Sequence, residues 1–240
     1  RVCYINSDST VNRVAAAMKK HPDRVLDPGI QEMNMVTIAA GLAKEGFIPF
    51  VQTFGPFLCV RALDQIHNDV CYNDFPVRLI GTHAGLSSGY GPTHNTIVEF
   101  GIMNALPNMT MVAPCDANQA KKLLRKSLDY KGPIYIRIPR GEEPAVYMED
   151  YDYDYEIGKA IELSAGKDLT IIATGMAVYN SVQAARKLEE LGLDVGVLDM
   201  HTIKPIDKEA IIKAAKETGN ILTVEDHNIL GGLGSIVADV

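Results

Sequence analysis

Short runs of strand-forming residues alternate with longer helical patterns along most of this 240-residue chain. Such alternation predicts βαβ units, and because parallel neighbours need a crossover connection, it predicts mainly parallel sheets. A chain of this length can form one large or two medium domains. The pattern predicts strands at Val2–Ile5, Ile48–Val51, Val77–Gly81, Thr110–Val112, Ile134–Ile138, Leu169–Ala173, Val195–Leu198 and Ile221–Val224.

An acidic and tyrosine-rich segment separates the first five predicted strands from the last three. Residues 142–156 show no apolar periodicity, so we interpret them as an extended connector at a domain boundary. The sequence therefore predicts two open-sheet α/β domains, a larger one over residues 1–148 and a smaller one over residues 157–240. The last predicted helix opens after Gly231 and stops soon afterwards, as in a minimal or an incomplete domain.

The composition is that of a soluble globular protein, with 47% apolar and 22% charged residues. The net charge of -7 argues against nucleic acid or an anionic membrane as the main partner. No apolar run reaches the ~20 residues of a membrane span, and the first residues lack the layout of a signal peptide. The cysteines form no Cys-x-x-Cys pair, which favours reduced, buried thiols in a cytoplasmic protein.

A buried helix is predicted just after the turn at Pro28 and Gly29. From Met33 to Ala43 the residues are mostly small or apolar and leave almost no polar face. Glu32 would lie at the mouth of this helix, where the helix dipole and free backbone N–H groups stabilise a carboxylate. Such a glutamate is either a helix cap, which is the commoner role, or an acid–base group held in a pocket.

Two polar segments follow consecutive predicted strands at their carboxyl ends, where open α/β sheets bind ligands. The first runs from Gln52 through Phe54 and Phe57, two aromatics around a Gly-Pro turn. The second, residues 82–94, is rich in glycine and contains His83 and His94. A histidine pair in such a loop favours a functional site because imidazole moves protons near neutral pH. A metal site is the weaker alternative, since no third ligand lies at useful spacing.

Charged residues follow two other predicted strands. The loop after the first strand contains Asp8, which we include among the candidate substrate contacts. Arg137 and Arg140 flank Pro139 at a strand end. Guanidinium groups bind phosphate and carboxylate in two-pronged geometry, so either arginine is a candidate holder of such a group.

Several motifs, in sequence order, resemble those of the C-terminal half of the thiamine-diphosphate-dependent transketolase family. Residues 27–35, Asp-Pro-Gly-Ile-Gln-Glu-Met-Asn-Met, match the family pattern D-x-G-I-x-E-x-x-M. Residues 53–57 match T-F-x-x-F, and residues 91–94 match G-P-T-H. Residues 61–65 resemble deoxyxylulose-phosphate synthases and two-gene transketolases. Motifs in the correct order are more specific than any one alone, and they favour an acid–base role for Glu32 over a cap.

The resemblance implies that thiamine diphosphate is the cofactor and that residues 1–148 form its pyrimidine-binding domain. Glu32 matches the carboxylate that hydrogen-bonds the pyrimidine ring and promotes proton removal from the thiazolium ring. Phe54 and Phe57 match residues that stack on and enclose the aminopyrimidine. Gln52, in the same segment, is a further candidate cofactor contact.

The resemblance also implies a substrate side of the site. His83 and His94 match positions that contact the substrate and assist proton transfer when a carbon–carbon bond of a ketose is cleaved. Arg137 or Arg140 matches the region that holds the substrate phosphate. The reaction is then the transfer of a two-carbon ketol unit from a ketose phosphate to an aldose acceptor.

The chain departs from the family at two substrate-side positions. An aspartate usually precedes Gly-Pro-Thr-His, and this chain has Tyr90 there; Val60 stands where many full-length transketolases have a tyrosine. Buried polar contacts to hydroxyls give large discrimination between sugars. We therefore expect Tyr90 to contact the substrate, and the preferred substrate to differ from that of ordinary transketolases, for example a branched or deoxy sugar phosphate.

One family motif is missing. The superfamily holds magnesium and the diphosphate through Gly-Asp-Gly and a distant asparagine, and no Gly-Asp pair occurs in this chain. No metal ligand is therefore expected here. The resemblance implies a split enzyme in which a separate N-terminal subunit holds the diphosphate and Mg²⁺ or Ca²⁺, with self-association into an α2β2-type assembly.

Three alternative functions stay open at this point. The β subunit of a 2-oxo-acid dehydrogenase shares the implied fold and Glu32, although the Gly-Pro-Thr-His loop disfavours it. A deoxyxylulose-phosphate synthase-like enzyme is the second alternative. The third, from another class, is a non-catalytic regulatory subunit, and the retention of Glu32, both phenylalanines and both histidines argues against it.

Overall fold

The computed structural model describes residues 1–7, 11–86, 89–140, 143–149 and 153–240. Its strands are β1 (Val2–Asn6), β2 (Val25–Leu26), β3 (Ile48–Phe54), β4 (Arg78–Thr82), β5 (Thr110–Val112), β6 (Ile134–Arg137), β7 (Ile161–Ser164), β8 (Leu169–Ala173), β9 (Val195–Asp199), β10 (Thr202–Lys204) and β11 (Ile221–Val224). Its α-helices are α1 (Val11–Lys20), α2 (Glu32–Lys44), α3 (Leu63–Gln65), α4 (Glu99–Ala105), α5 (Ala117–Ser127), α6 (Ala177–Glu190), α7 (Lys208–Thr218) and α8 (Leu233–Ala238). A 3-10 turn at Pro22–Arg24 and π-helices at Phe57–Arg61 and Ile66–Cys71 accompany them.

The larger sheet contains seven of the described strands, in the order β10-β5-β6-β4-β3-β1-β2. All neighbours are parallel except β10, which pairs antiparallel with β5. Strand β4 lies in the middle, and all five of its residues are buried. Because parallel strands end at the same edge, the loops after β1, β3, β4 and β6 all leave from one side of the sheet.

The smaller sheet has the order β11-β8-β9-β7, with β7 antiparallel at one edge. Strands β5, β8 and β11 have the predicted bounds. The prediction of two α/β units with mainly parallel sheets is confirmed. The sequence does not predict β2, β7 and β10, because each is an edge strand of two to four residues, too short for a strand pattern to show.

Helix α2 differs from the prediction of an entirely buried helix. Met35, Val36 and Ala39 are buried, whereas Met33 and Thr37 face outward in this chain. The helical period of 3.6 residues places these two sets on opposite faces. Small and apolar residues on both faces hide this division in the sequence.

The tyrosine-rich connector has neither helix nor strand in its described parts, residues 143–149 and 153–156, as its lack of periodicity indicates. It is nevertheless packed. The Tyr147 hydroxyl donates a hydrogen bond to Asp199 Oδ2 at 2.7 Å, and Gln119 Nε2 donates to the same oxygen at 2.6 Å. The connector thereby joins α5 of the larger unit to the end of β9 in the smaller one.

None of the helices that the structure describes combines the length and the apolar character that a bilayer crossing requires. All four cysteines are buried and free, as predicted.

Asp199 generates a prediction about pH. Complete burial raises its pKa from 3.8 to about 7, against the opposing hydrogen bonds from Tyr147 and Gln119. The unfolded carboxyl ionises near its ordinary pKa, so the folded state binds the proton more strongly and loses stability as the pH rises from about 4 to about 7. Asp199→Asn keeps an acceptor oxygen without the charge.

We therefore expect urea unfolding at pH 5 and pH 8 to show a smaller loss of stability in Asp199→Asn than in the wild type. The difference between the two slopes is at most about 1.4 kcal/mol per pH unit. Asp194→Asn, which changes an exposed carboxylate immediately before β9, is the control and keeps the wild-type slope. Equal slopes in the wild type and Asp199→Asn would contradict the prediction.

Candidate active site

The larger sheet brings two strand ends together at its carboxyl edge. Phe54 at the end of β3 pairs with Thr82 at the end of β4, so His83, the next residue, lies beside Phe54. The two ring centroids are 4.1 Å apart. His83 is buried, and its φ of 58° is a left-handed conformation that costs a non-glycine residue free energy. The imidazole is thus held in a fixed position against Phe54.

A tight turn holds Phe57 next to Phe54. A Cβ on Gly55 would lie 2.5 Å from Thr96 Cγ2, so no side chain fits at that position. After Pro56, a π-helix begins at Phe57, and such helices are frequent at functional sites. The two phenyl rings are nearly parallel, with centroids 5.8 Å apart and an interplanar angle of 22°.

The loop after β4 adds two more rings. The Tyr90 centroid lies 5.8 Å from that of Phe54 and 5.5 Å from that of His83. The His94 centroid lies 5.6 Å from Phe54 and 5.2 Å from Phe57. We call Phe54, Phe57, His83, Tyr90 and His94 the aromatic cluster. The structure thus brings together five residues that the sequence analysis selected from two separate segments.

Glu32 is the first residue of α2, and only 3% of it is exposed. Arg61 Nη1 donates a hydrogen bond to Glu32 Oε2 at 2.8 Å, and the same guanidinium lies 4.3 Å from the Phe57 ring centroid. Arg61 is the last residue of the π-helix that begins at Phe57, so this short helix supplies both the guanidinium and the phenyl ring. Arg61 therefore joins the buried carboxylate to the aromatic cluster.

The Arg61 guanidinium shows what kind of group this place accepts. It is flat, it donates N–H groups to a carboxylate and it lies against an aromatic face. A flat heterocycle with a hydrogen-bonding ring nitrogen could make the same two contacts, one with the Glu32 carboxylate and one with an aromatic face. No ring fits between Phe54 and Phe57, because two stacking contacts of ~3.5 Å need ~7 Å. The phenylalanine pair would therefore present an outer face to such a ligand.

The two candidate arginines lie in different environments. Arg137 is buried: its Nε lies 3.3 Å from Glu99 Oε1, and its Nη2 donates to the Asp226 carbonyl at 2.7 Å. Burial raises the pKa of Glu99, and the charge of Arg137 opposes this rise. Arg140 is half-buried, with its guanidinium 5.9 Å from the Tyr90 ring centroid. Of the two, Arg140 is the one placed beside the aromatic cluster.

The other predicted contacts are less directly placed. Gln52 lies two residues before Phe54 on β3, so the two share a face of the sheet. Its Oε1 accepts a hydrogen bond from the Tyr4 hydroxyl at 2.6 Å. Asp8 lies outside the described residues. Within the described ranges, no group of three or more His, Cys, Asp or Glu side chains is placed to hold a metal ion.

Sequence reasoning gave no role to three residues of this region. The motif at residues 61–65 contains Arg61 but gives no sign that it is the partner of Glu32. Glu99 and Asp226 lie outside every motif. Their contacts with Arg137 span 38 and 89 residues of sequence, so no local pattern could reveal them.

The chain matches known proteins over almost its whole length. Family models match residues 4–144 as the transketolase pyrimidine binding domain and residues 158–240 as the transketolase C-terminal domain. The two matches show a pyrimidine-binding domain followed in the same chain by a transketolase C-terminal domain. The chain belongs to the transketolase family, and membership implies dependence on thiamine diphosphate. The resemblance found in the motifs is confirmed.

Three relatives show the range of the family around this chain. One of the subunits of the apulose-4-phosphate transketolase of Phocaeicola vulgatus is 43% identical over 92% of this chain and 71% of its own length. The 6-deoxy-6-sulfo-D-fructose transketolase subunit of a Clostridium species is 38% identical over 100% of this chain and 74% of its own. A 1-deoxy-D-xylulose-5-phosphate synthase of Geobacter sulfurreducens is 38% identical over 92% of this chain, but only 35% of its own length is matched.

A solved structure, described as an inactive beta4 tetramer of a split gene transketolase, superimposes on the chain with a TM-score of 0.91. The two are 37% identical, and the match covers 99% of this chain and 77% of the other. The transketolase fold is thereby established for both units.

The Glu32–Arg61 pair generates a stability prediction. Arg61→Met leaves a nearly buried carboxylate without its partner, and we expect a loss of about 1–3 kcal/mol in the free energy of unfolding. Arg24→Met is a matched control, because Arg24 is as exposed as Arg61 (42% against 44%) and also lies over a phenylalanine, but its partner Asp23 is 76% exposed. Urea unfolding of both variants at pH 7 measures the difference. Equal losses would show that the buried pair contributes no more than a surface pair.

Proposed function

We propose that this chain is the C-terminal subunit of a split transketolase, which transfers a two-carbon ketol unit from a ketose phosphate to an aldose acceptor. The observation that carries the proposal is the place between Glu32 and Phe57, where a flat hydrogen-bonding group contacts a buried carboxylate and an aromatic face at once. Relatives named as single subunits of transketolases support it.

The residues present fit the pyrimidine end of thiamine diphosphate. When bound, this cofactor supplies a nucleophilic carbon that adds to a ketose carbonyl and accepts the electron pair of the carbon–carbon bond that breaks. Glu32 would hydrogen-bond a ring nitrogen, exchanging Arg61 for the heterocycle. The outer face of Phe54 or Phe57 would stack on the ring, and Gln52 remains a candidate contact on the same face of the sheet.

The histidines and Tyr90 would serve the substrate. His83 and His94 both lie against Phe54, with ring centroids 4.1 and 5.6 Å from its own, so a substrate at the cluster would lie near an imidazole. Neutral imidazole can accept a hydroxyl proton as the adjacent bond breaks. Arg140 would bind the phosphate by charge-assisted hydrogen bonds. Asp8 and Arg137 stay predictions, the latter weakened by its buried pair with Glu99.

The diphosphate and its metal would be held elsewhere. We propose a separate N-terminal subunit that carries Mg²⁺ or Ca²⁺, and an assembly of the α2β2 type in the cytoplasm. The split-gene tetramer described as inactive, which contains beta chains, is consistent with a chain that needs such a partner. The direct test is thiamine diphosphate binding by the isolated chain: tight magnesium-dependent binding without a partner would contradict this part of the proposal.

A second candidate function is a deoxyxylulose-phosphate synthase-like reaction, which the identity to such synthases favours. It and the 2-oxo-acid dehydrogenase alternative both use a 2-oxo acid. Assaying the assembled enzyme with pyruvate and with ketose phosphates therefore separates them from ketol transfer.

The role of Glu32 gives the first functional prediction. Glu32→Gln keeps the shape of the side chain but cannot transfer a proton, so ketol transfer by the assembled enzyme should fall at least ~100-fold, the usual contribution of an acid–base group. Glu45→Gln, at the exposed opposite end of α2, is the control and should keep full activity. Unchanged activity in Glu32→Gln would favour the non-catalytic alternative instead.

Tyr90 gives a prediction about specificity. Tyr90→Asp restores the residue usual in the family, and we expect the ratio of kcat/KM values for different ketose phosphates to shift about tenfold or more toward common transketolase substrates. Tyr90→Phe is the control that keeps the ring and removes the hydroxyl. An unchanged substrate profile in Tyr90→Asp would exclude Tyr90 as a determinant of specificity.

A further inference from the structure

The segment after β11 lies against the loop after β4, which carries His83, Tyr90 and His94 of the aromatic cluster. Asp226 accepts a hydrogen bond from the backbone N–H of Leu86, with its two carboxylate oxygens 3.1 and 3.3 Å from the nitrogen. These residues are 140 positions apart in sequence. Leu86 lies three residues after His83, on the path of the chain toward Tyr90.

Gly85 leaves the space that this contact needs. Its φ is +78°, and a Cβ there would lie 1.7 Å from Asp226 Oδ2. The left-handed backbone and the approach of the carboxylate both require glycine. The Gly85 N–H donates to the Thr96 carbonyl at 2.8 Å, so the loop is held at Gly85 by its own unit and at Leu86 by Asp226.

The backbone around Asp226 is itself fixed to the larger unit. Arg137 donates to the Asp226 carbonyl, and the Asn228 N–H donates to the Ile97 carbonyl at 3.2 Å. His227 Nε2 accepts from the Phe100 N–H at 3.1 Å, and the two rings stack with their centroids 4.7 Å apart. Burial lowers the pKa of His227 to about 4, so the ring is neutral at pH 7 and can accept this bond.

We propose that Asp226 is a positioning residue that sets the direction in which the loop leaves Gly85, and so places Tyr90 and His94 over Phe54. The inference deepens the proposed function and rests on it for the roles of these rings. It gives the C-terminal unit a direct effect on the substrate side of the site. The Asp226 carboxylate contacts the loop at Leu86, whereas Glu32 is held by Arg61, so we expect cofactor binding through Glu32 to be unaffected by changes at Asp226.

The test combines amide hydrogen exchange of the whole chain with kinetics of the assembled enzyme. Asp226→Ala should exchange the Leu86 amide about tenfold faster, the effect of losing one hydrogen bond. It should also lower kcat/KM for the ketose phosphate about tenfold, with thiamine diphosphate affinity unchanged. Asp226→Asn, whose amide oxygen still accepts, should restore most of both properties.

Glu225→Gln is the matched control. Each carboxylate oxygen of Glu225 accepts a hydrogen bond at the start of α8, Oε2 from Leu233 N–H at 2.7 Å and Oε1 from Gly234 N–H at 3.0 Å. A glutamine has one acceptor oxygen and therefore keeps only one of these two bonds, which destabilises the same unit without touching the loop. It should leave exchange at Leu86 unchanged. Equal exchange at Leu86 in the wild type and Asp226→Ala, or the same acceleration in Glu225→Gln, would overturn the proposal. Faster exchange at Leu86 with unchanged kcat/KM in Asp226→Ala would also overturn it, because the loop would then be released without an effect on the site. If the wild-type assembly transfers no ketol unit, the proposed function fails, while the exchange result still decides whether Asp226 holds the loop at Leu86.

Discussion

The parallel pairing of β3 with β4 is the constraint on which the rest of the site depends. A shift of one residue in this register would turn Phe54 to the opposite face of the sheet. Such a shift would also displace Arg78 at the start of β4, whose buried guanidinium donates hydrogen bonds to the Ser127 and Gly132 carbonyls, and leaving these groups unpaired in the interior would be costly. Because the two strands end together, Phe54 and His83 are neighbours. For the same reason the backbone at Gly55 passes close to Thr82 and Thr96 and leaves no room for a side chain.

Two buried carboxylates near the site form ion pairs of different kinds. The Glu99–Arg137 pair is sealed, with side chains 0% and 4% exposed. In the Glu32–Arg61 pair the carboxylate is nearly as buried, but the arginine is 44% exposed. Separating a sealed pair leaves an uncompensated charge in the interior, which is strongly destabilising. A half-exposed arginine can move into solvent, so Glu32 can exchange its partner at a lower cost.

The sequence predicted those parts of the fold and site that are encoded locally. Strand-forming runs gave β8 and β11 their bounds. The family motifs selected Glu32, Phe54, Phe57 and His94, and His83 was selected by its position in a glycine-rich loop after a strand. The features that the sequence does not predict depend on contacts between residues far apart in the chain. Strand β10 has only three residues and exists because β5 offers it an edge. The contacts of Glu32 with Arg61 and of Leu86 with Asp226 join residues 29 and 140 positions apart, and side-chain type alone does not specify such partners.

Strand β10 belongs to the second half of the sequence but completes the sheet of the first. Lys204 at its end donates to the Asn104 carbonyl at 2.8 Å, near the end of α4. The two halves of the chain therefore share one sheet and do not fold as separate, independent units. A chimaera that takes its C-terminal half from a relative would place that relative's β10 against β5 and the end of α4 of this chain. The contacts between these elements would then have to match. Replacing one half alone with that of a distant relative is accordingly expected to destabilise this chain.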